Sequence, residues 1–323
     1  MTELLCRRAI DSDRAAIIEL LRVALGREVD ERYEALFAWK HRENSFGPSP
    51  AWVAVDGDRV VGFRTLMRWE FVDGDRVVRA VRAVDTATHP DYQGQGIFKR
   101  LTLSAVEELA ADGTAFVFNT PNDQSRPGYL KMGWHEVGRI PTLVRPTRWH
   151  RVAKIVQSRV PADRWSEPST GGVAAGAALA DRGALDGLLG ARAASPGIET
   201  RLSADFLRWR FGTPLLGYRA VVATGGIECG LAIFRVRRRG PAREAALVSV
   251  ITRAGDRRTE AALGRTVARV ADADYLLALG AGPRRAGGLY QLPRTGPRLT
   301  WRGLAVPEKP VRWDLTLGDI ELF

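Results

Sequence analysis

The spacing of apolar and polar residues predicts alternating helices and strands along the first 145 residues. Apolar positions at helical spacing predict helices over residues 13–24 and 33–41, and a third helix from Ile97. Short apolar runs predict strands over residues 4–8, 51–55, 59–68, 81–88, 114–119 and 138–144. Asp-Gly turns at 56–58 and 73–75 join successive strands. This order predicts an α/β domain with a central mixed sheet.

A glycine turn, Gln93-Gly94-Gln95-Gly96, separates the strand over 81–88 from the helix that begins at Ile97. The free amides of a first helical turn attract an anion, and glycine lets a phosphate approach the backbone. The same turn would also serve as a plain connection whose glycines only satisfy its geometry. It is neither a phosphate loop nor GxGxxG, which argues against a nucleoside triphosphate or a dinucleotide.

A second motif follows the strand over 114–119. Asn122 is predicted to open a helix, and Tyr129 lies seven residues later, two turns on and on the same face. The segment ends as Tyr129-Leu-Lys-Met-Gly133-Trp134, which is typical of a helix that stops at a C-cap glycine before another strand.

Together these motifs resemble the GNAT superfamily of acyl-CoA-dependent N-acyltransferases. That family has a Q/R-x-x-G-x-G/A turn after its fourth strand, then a helix with an Asn and, seven residues later, a Tyr in a Y-x-K-x-G-F/W ending. The matching residues are 93–98, Asn122 and 129–134. One residue departs from the pattern, since Phe98 stands where the family has a small residue.

The resemblance implies acetyl-CoA as co-substrate and no metal. Backbone amides of Gln95–Lys99 would hold the pyrophosphate, and strand residues would pair with the pantetheine arm. The implied cofactor-binding residues are Ala87, Thr88, Gln93, Gly94, Gln95, Gly96, Ile97, Phe98, Lys99, Asn119 and Asn122. For Asn122 the alternative is a helix N-cap, and for Asn119 a plain role in the turn that follows it.

The resemblance places Tyr129 at the position of the general acid that protonates the leaving thiolate; the alternative is a core aromatic residue. Asp85 is the favoured base, because an acidic residue inside an apolar strand is uncommon unless it faces a cleft. Its alternative is a salt bridge with an arginine such as Arg82. His89 is the rival base, or a turn residue beside Pro90. Deprotonation through water, with no dedicated base, is a third possibility.

The second half of the chain echoes the first. Residues 206–211 repeat the pattern of 36–41, a turn and two strands follow, and Gly230 takes the place of Gly62. The counterpart of the glycine turn, residues 253–259, lacks the glycine pattern and carries Asp256. We therefore expect a second GNAT-like fold that has lost the cofactor site, rather than an unrelated α/β domain.

The predicted organisation is a catalytic acetyl-CoA-binding domain over residues 1–145, a linker over 146–172 and a degenerate domain over 173–323 that shapes the acceptor site. A short helix is expected in the linker near Trp149–Ser158. With 323 residues, the chain is long enough for two such domains.

The net charge of +11 arises entirely in the second half: residues 1–150 hold 21 basic and 21 acidic residues, and residues 151–323 hold 27 and 16. An anionic partner such as a nucleotide sugar, a phosphorylated substrate or tRNA would explain the excess. An arginine-rich composition without any such partner also explains the basic excess, and we favour that interpretation.

The expected function is a cytoplasmic N-acetyltransferase acting on the primary amine of a small molecule: an amino sugar, an aminoglycoside-like compound, an amino acid or a secondary-metabolite intermediate. No apolar run has the length of a signal peptide or a membrane span, and Cys6 and Cys229 are expected to be reduced. The oligomeric state, monomer or homodimer, is left open.

Two other functions remain open at this point. One is a Fem-type aminoacyl transferase that takes its acyl group from aminoacyl-tRNA, which is the one interpretation that involves a nucleic acid. The other is an acyl-CoA-binding or regulatory module without catalysis, which Phe98 would favour.

Overall fold

The computed structural model of the protein describes residues 4–26, 29–147, 160–280, 288–305 and 312–320. The chain forms two compact units. The first unit comprises Met1–Gly138 and Arg298–Val311, and the second comprises Arg139–Pro297 and Arg312–Phe323. Each contains a mixed β-sheet flanked by helices, which confirms the predicted α/β class.

The secondary structure is numbered in chain order over the described residues. The strands are β1 (Leu5–Arg8), β2 (Ala51–Asp56), β3 (Arg59–Asp73), β4 (Arg76–Thr88), β5 (Phe116–Asn119), β6 (His135–Arg139), β7 (Thr142–Pro146), β8 (Val173–Ala174), β9 (Glu199–Thr200), β10 (Arg219–Val222), β11 (Gly230–Arg239), β12 (Ala242–Thr252), β13 (Tyr275–Leu279), β14 (Tyr290–Leu292) and β15 (Arg298–Gly303). The α-helices are α1 (Arg14–Ala24), α2 (Arg32–His41), α3 (Ile97–Ala111), α4 (Arg126–Lys131), α5 (Ala175–Ala178), α6 (Arg182–Gly190), α7 (Ala204–Gly212), α8 (Arg257–Val270) and α9 (Leu317–Ile320).

The first unit contains a sheet in the order β1-β2-β3-β4-β5-β15-β6. Its central pairings are antiparallel for β2–β3 and β3–β4 and parallel for β4–β5. Helix α3 packs very closely on this sheet, because a Cβ on Gly62 would lie 2.4 Å from Cγ2 of Ile97. The predicted order of one strand, two helices and two strands before β4 is confirmed.

The second unit repeats the run of three strands, one helix and one strand, around a sheet β14-β7-β13-β12-β11-β10-β8. Strands β10–β11 and β11–β12 pair antiparallel, and β12–β13 pair parallel, with α8 between them in sequence. Gly230 stands where Gly62 stands in the first unit, since its Cβ would lie 3.0 Å from Thr259 and 3.2 Å from Leu263 of α8. Order, pairing and the close helix contact therefore all recur.

The boundaries between the units differ from the predicted ones. The strand expected at 138–144 to close the first domain falls on two strands: residues 138–139 end β6 of the first sheet, and residues 142–144 lie in β7, which pairs with β13 of the second sheet. In return, β15 from the far end of the chain pairs with β5 of the first sheet. Strands β5 and β13 each pair on one side with a strand from the other half of the sequence, and the units divide after Gly138 rather than at residue 145.

Part of the predicted linker belongs to the second unit. The amides of Asp163 and Glu167 donate to the carbonyls of Arg238 and Val236, at 2.7 and 2.9 Å. The helix expected near Trp149–Ser158 lies outside the described residues. None of the helices within the described ranges is long and apolar enough to cross a membrane.

Candidate functional site

The glycine turn lies directly before α3, as predicted. Gly94 and Gly96 have φ values of 77° and 73°, in the left-handed region that glycine adopts without strain. A Cβ on either residue would meet no described atom within 4 Å, and Gly96 supplies no side-chain cap to the helix. The amides of the first turn of α3 therefore lack a side-chain cap, and the space beside the two glycines is open.

The residues around this turn divide by exposure. Gln93, Gln95 and Lys99 are exposed, whereas the side chain of Ile97 is buried in the core beneath Gly62. Ile97 therefore offers a ligand only its backbone, and the exposed side chains frame the turn.

A gap in the sheet opens beside the same turn. Within the described residues, β4 and β5 pair only from Ala80 to Arg82 and from Phe116 to Phe118, although β4 continues to Thr88. A β-bulge at Asp85 bends this second part of β4, because Arg64 pairs with Thr86 and Thr65 with Val84. Ala87 and Thr88 lie in this part of β4, which has no paired neighbour on the β5 side.

Tyr129 lies in α4 and is 4 % exposed. Its ring centroid is 5.4 Å from that of Phe98 in a perpendicular arrangement and 5.2 Å from that of Trp134. Phe98, which departs from the family pattern, thus fills the space between the start of α3 and Tyr129. These contacts fix the position of the tyrosine ring.

The side-chain oxygens of both asparagines accept hydrogen bonds within the protein. Helix α4 begins at Arg126, and Asn122 precedes it, with Oδ1 accepting from the amide and the hydroxyl of Ser125 at 2.8 Å each. Asn122 and Tyr129 therefore do not share one helix, although Asn122 does cap the turn before it. Asn119 is buried in β5, and its Oδ1 accepts from the hydroxyl of Thr300 at 2.6 Å.

Asp85 forms a buried ionic cluster with two residues of α2. Its Oδ2 lies 2.7 Å from Nζ of Lys40 and 2.9 Å from Nε2 of His41. The alternative of a salt bridge was foreseen, but with Arg82 as partner. The positive φ of 20° at Asp85 accompanies the bulge, and the side chain there meets α2.

Charge and burial act against each other in this cluster. Burial alone would raise the pKa of Asp85, but the Lys40 ammonium and the hydrogen bonds from His41 and Lys40 hold it well below its ordinary value. Burial lowers the pKa of His41, and the hydrogen bond to Asp85 only partly opposes this. His41 is therefore neutral, with Nε2–H donating to Asp85 and Nδ1 accepting from the Ser49 hydroxyl at 3.0 Å.

This cluster predicts a pH-dependent stability. Because the pKa of His41 is lowered from 6.5, the unfolded chain binds a proton near pH 6.5 that the folded chain does not. The free energy of unfolding should fall as the pH drops below about 6.5, by up to about 1.4 kcal/mol per pH unit. Urea unfolding of the His41→Gln variant between pH 7.5 and 5.5 should show a shallower fall. The exposed His135 is the control: equal slopes for wild type and His41→Gln, or a change in His135→Gln, would contradict this.

His89 is placed at the end of β4, as the N-cap of the short 3-10 helix Pro90–Tyr92. Its Nε2 lies 2.7 Å from a guanidinium nitrogen of Arg59, which donates to it. The ring also lines an open cavity of about 560 Å³ between α1 and the β2–β3 hairpin. The hydrogen bond from Arg59 and the position in the turn both match the alternative interpretation of His89 as a turn residue.

The equivalent positions in the second unit lack these features. Asp256 caps α8, and its Oδ1 accepts from the amide of Thr259 at 2.9 Å. These hydrogen bonds with Thr259 lower the pKa of Asp256, so a negative charge of the chain itself occupies the helix start. At the bulge in β12, between the pairs Ile233–Ser249 and Phe234–Leu247, the residue that corresponds to Asp85 is Val248.

Three residues of the first unit were missed by sequence reasoning. The sequence held a signal for Lys40 and His41, because the internal repeat aligns Lys40 with Arg210. In the structure these two aligned residues, Lys40 and Arg210, are both buried. Arg64 had a weaker one, a charge inside the apolar strand β3. Among the described residues, no group of three or more His, Cys, Asp or Glu side chains is arranged to hold a metal ion, and Cys6 and Cys229 are free thiols.

Comparison with known proteins identifies the first unit. Residues 6–137 match the family model described as acetyltransferase (GNAT) domain. No curated protein matches the chain in sequence.

Several solved structures share the fold of this chain. A protein of unknown function from Enterococcus faecalis V583, described as a probable N-acyltransferase, is 11 % identical with a TM-score of 0.63; the match covers 94 % of this chain and 73 % of that one. A GCN5-related N-acetyltransferase from Kribbella flavida is 13 % identical with a TM-score of 0.63, covering 94 % and 72 %. Eis1 from Mycobacterium abscessus is 13 % identical with a TM-score of 0.57, covering 94 % and 74 %. The family match spans the glycine turn, the gap beside β4 and Tyr129 alike, so residues 6–137 of the first unit form a GNAT acetyltransferase domain.

Proposed function

We propose that the first unit transfers an acyl group, most simply acetyl, from acyl-CoA to the primary amine of a small molecule. The observation that carries the proposal is the uncapped start of α3, with Gly94 and Gly96 in left-handed geometry and open space beside them. Amides of Gln95–Lys99 would bind the pyrophosphate there. The unpaired part of β4 at Ala87 and Thr88 would pair with the pantetheine arm as with an added strand.

Tyr129 is proposed as the general acid. Attack of a neutral amine on the thioester carbon gives a tetrahedral intermediate, whose collapse breaks the C–S bond and leaves a thiolate that needs a proton. The phenol is held by its contacts with Phe98 and Trp134, so its hydroxyl can be presented in one orientation. Asn122 keeps its amide nitrogen to donate to the cofactor arm, since its oxygen is used by Ser125. Asn119, bonded to Thr300, would orient the ligand only through the strand that it ends.

No dedicated base is assigned. Asp85 is ion-paired with Lys40 and its pKa is lowered, which makes its carboxylate a weak acceptor of a proton from an ammonium group. Nε2 of His89 accepts from Arg59, so its lone pair is occupied. We therefore propose that the amine loses its proton to water, and that Asp85 holds the bulge of β4 in place.

The charge of the second half gives little support to a tRNA-dependent reaction. Several of its arginines are bound to acidic groups inside the second unit: Glu244, itself buried, takes Arg237 and Arg239 at 2.6 and 2.7 Å. Arg243 binds Glu167 at 2.8 Å. Together with Asp256 at the start of α8, this supports a second unit that is a degenerate, non-catalytic GNAT-like copy with an arginine-rich composition.

Binding of acetyl-CoA tests the proposal. By calorimetric titration, Gly96→Ala should bind acetyl-CoA about tenfold more weakly, because the added methyl group stands where the phosphate approaches and strains the backbone. Gly57→Ala is the matched control: Gly57 also has positive φ, 57°, and open space around it, but lies in the β2–β3 turn. The two variants should lose similar stability, and only Gly96→Ala should lose affinity.

The opposite results are equally clear. Equal affinity in wild type and Gly96→Ala would remove the glycine turn from the site. Failure of the wild type to bind any acyl-CoA, together with salt-sensitive binding of tRNA, would favour the Fem-type reaction instead. Binding of acyl-CoA without transfer to any amine would favour the non-catalytic module.

A further inference from the structure

Arg64 occupies a core position of the first unit. It lies in β3 between Gly62 and Leu66, on the face that packs against α3 and α4. Its partner across the β2–β3 ladder, Trp52, belongs to the same core cluster. The side chain is fully buried, at 0 % exposure. The alternation along the strand calls for an apolar residue here, and the sequence places a charge instead.

The guanidinium group of Arg64 has no hydrogen-bond partner among the described residues. Neither Nε nor either Nη nitrogen bonds to any residue that the structure describes. Its surroundings are aromatic: the guanidinium carbon lies 5.6 Å from the ring centroid of Phe98 and 5.5 Å from that of Tyr129. Contacts with ring faces stabilise a cation less than the loss of its hydration costs. Within the described ranges, no carboxylate forms an ion pair with this buried guanidinium, which leaves it without a counter-charge there.

The position of Arg64 indicates which ligand would supply that counter-charge. Both aromatic rings belong to the site proposed above, Phe98 to the first turn of α3 and Tyr129 as the general acid. The amides of the glycine turn would bind a phosphate from the open side of the turn, whereas Arg64 lies in β3, with its guanidinium carbon 5.6 and 5.5 Å from the two ring centroids. An anion at Arg64 would therefore lie beside Tyr129, the proposed general acid, and not at the pyrophosphate position.

We propose that Arg64 binds a carboxylate that one of the two substrates carries close to the reacting thioester. The planar guanidinium suits two parallel hydrogen bonds to a carboxylate. The carboxylate comes either from the far end of a dicarboxylic acyl group such as succinyl, or from an amine acceptor that is an amino acid. Phe98, larger than the family residue at its position, packs beside the guanidinium, with its ring centroid 5.6 Å from the guanidinium carbon. This inference rests on the proposed acyltransferase function.

The test compares ligands that differ by one carboxylate. For the acyl group, calorimetric titration gives the ratio of the affinities for succinyl-CoA and acetyl-CoA. For the acceptor, release of CoA from acetyl-CoA gives the ratio of the rates with L-lysine and cadaverine, and with glycine and methylamine. In the wild type, one of these ratios should favour the carboxylate by about tenfold or more, and it should fall towards one in Arg64→Met.

Two further variants control for folding and charge. Arg76→Met makes the same change at an exposed arginine of the same hairpin, 66 % exposed, and should alter neither ratio. Arg64→Lys keeps the charge but not the two-pronged geometry, so its ratio should lie between those of wild type and Arg64→Met. Thermal unfolding of Arg64→Met should give a melting temperature no lower than the wild type, because an apolar side chain suits the position.

The outcomes separate the inference from the proposed function. A carboxylate preference in the acyl pair assigns the carboxylate to the acyl group, and one in the amine pairs assigns it to the acceptor. If acetyl-CoA binds and is used but neither ratio depends on Arg64, this inference is overturned and the proposed function stands. If no acyl-CoA binds to the wild type, both are overturned.

Discussion

Replacement of Tyr129 by Phe is expected to lower kcat for acyl transfer by about a hundredfold or more, with little change in KM for acyl-CoA. The substitution removes only the hydroxyl. The ring keeps its contacts with Phe98 and Trp134, at centroid distances of 5.4 and 5.2 Å, so the fold around α4 should not change. What is lost is the proton that the leaving thiolate requires, a need that arises only as the C–S bond breaks.

The measurement follows release of the CoA thiol with the best amine found by screening. Tyr92→Phe is the matched control, since it removes a hydroxyl in the same unit whose role is structural: the Tyr92 hydroxyl donates to Asp56 at 2.7 Å. Tyr92→Phe should cost stability but leave kcat near the wild-type value. An unchanged kcat in Tyr129→Phe would mean that the thiolate takes its proton from water or from another group.

The local features of the first unit could be predicted from the sequence. The glycine turn before α3, the strand that ends near Thr88 and the helix-strand order all follow from periodicity and turn residues, which act over a few positions. The correspondence of Gly230 with Gly62 was visible as an echo between the halves, whereas the close helix packing at both glycines was not predicted. Here the physical cause is short-range, and the sequence contains it directly.

Features set by pairing between distant residues could not be predicted. The strand β15 completes the first sheet from a position nearly two hundred residues after β5 along the chain, and β7 joins the second sheet. Nothing in either strand's own sequence specifies its partner. The prediction of one helix over Asn122–Tyr129 was wrong for a local reason. Pro127 lies in the first turn of α4, a position that suits proline, so the helix begins at Arg126.

The site was predicted in part for the same reasons. The backbone groups of the turn and the ring of Tyr129 lie where the motifs indicated. The partners of Asp85 were missed, because the bulge and its positive φ of 20° decide which way that side chain faces. Arg64 was missed because its burial depends on the face that β3 presents to α3 and α4, which a single strand's sequence does not show.

The cluster at the bulge leads to the second large effect: Lys40→Met should lower the free energy of unfolding by about 3–5 kcal/mol. The change removes the ammonium at 2.7 Å from the Asp85 carboxylate, while that carboxylate stays buried. Urea unfolding at pH 7.5 measures it. Arg22→Met, which breaks the exposed pair of Arg22 with Glu19, should cost far less, because solvent screens that pair. A loss in Lys40→Met as small as that would show that the ammonium is not what stabilises Asp85.

The double variant Lys40→Met, Asp85→Asn separates charge from packing. Because it removes both charges, it should be more stable than Lys40→Met, and the interaction energy from the four-variant cycle should be at least about 1 kcal/mol. The ionic pair holds the bulge of β4, and the bulge bends β4 where its pairing with β5 has ended. For this reason, Lys40→Met should also weaken acetyl-CoA binding. If Lys40→Met lost stability but kept its full affinity, the opening beside β4 would depend on the backbone alone and the cluster would be purely structural.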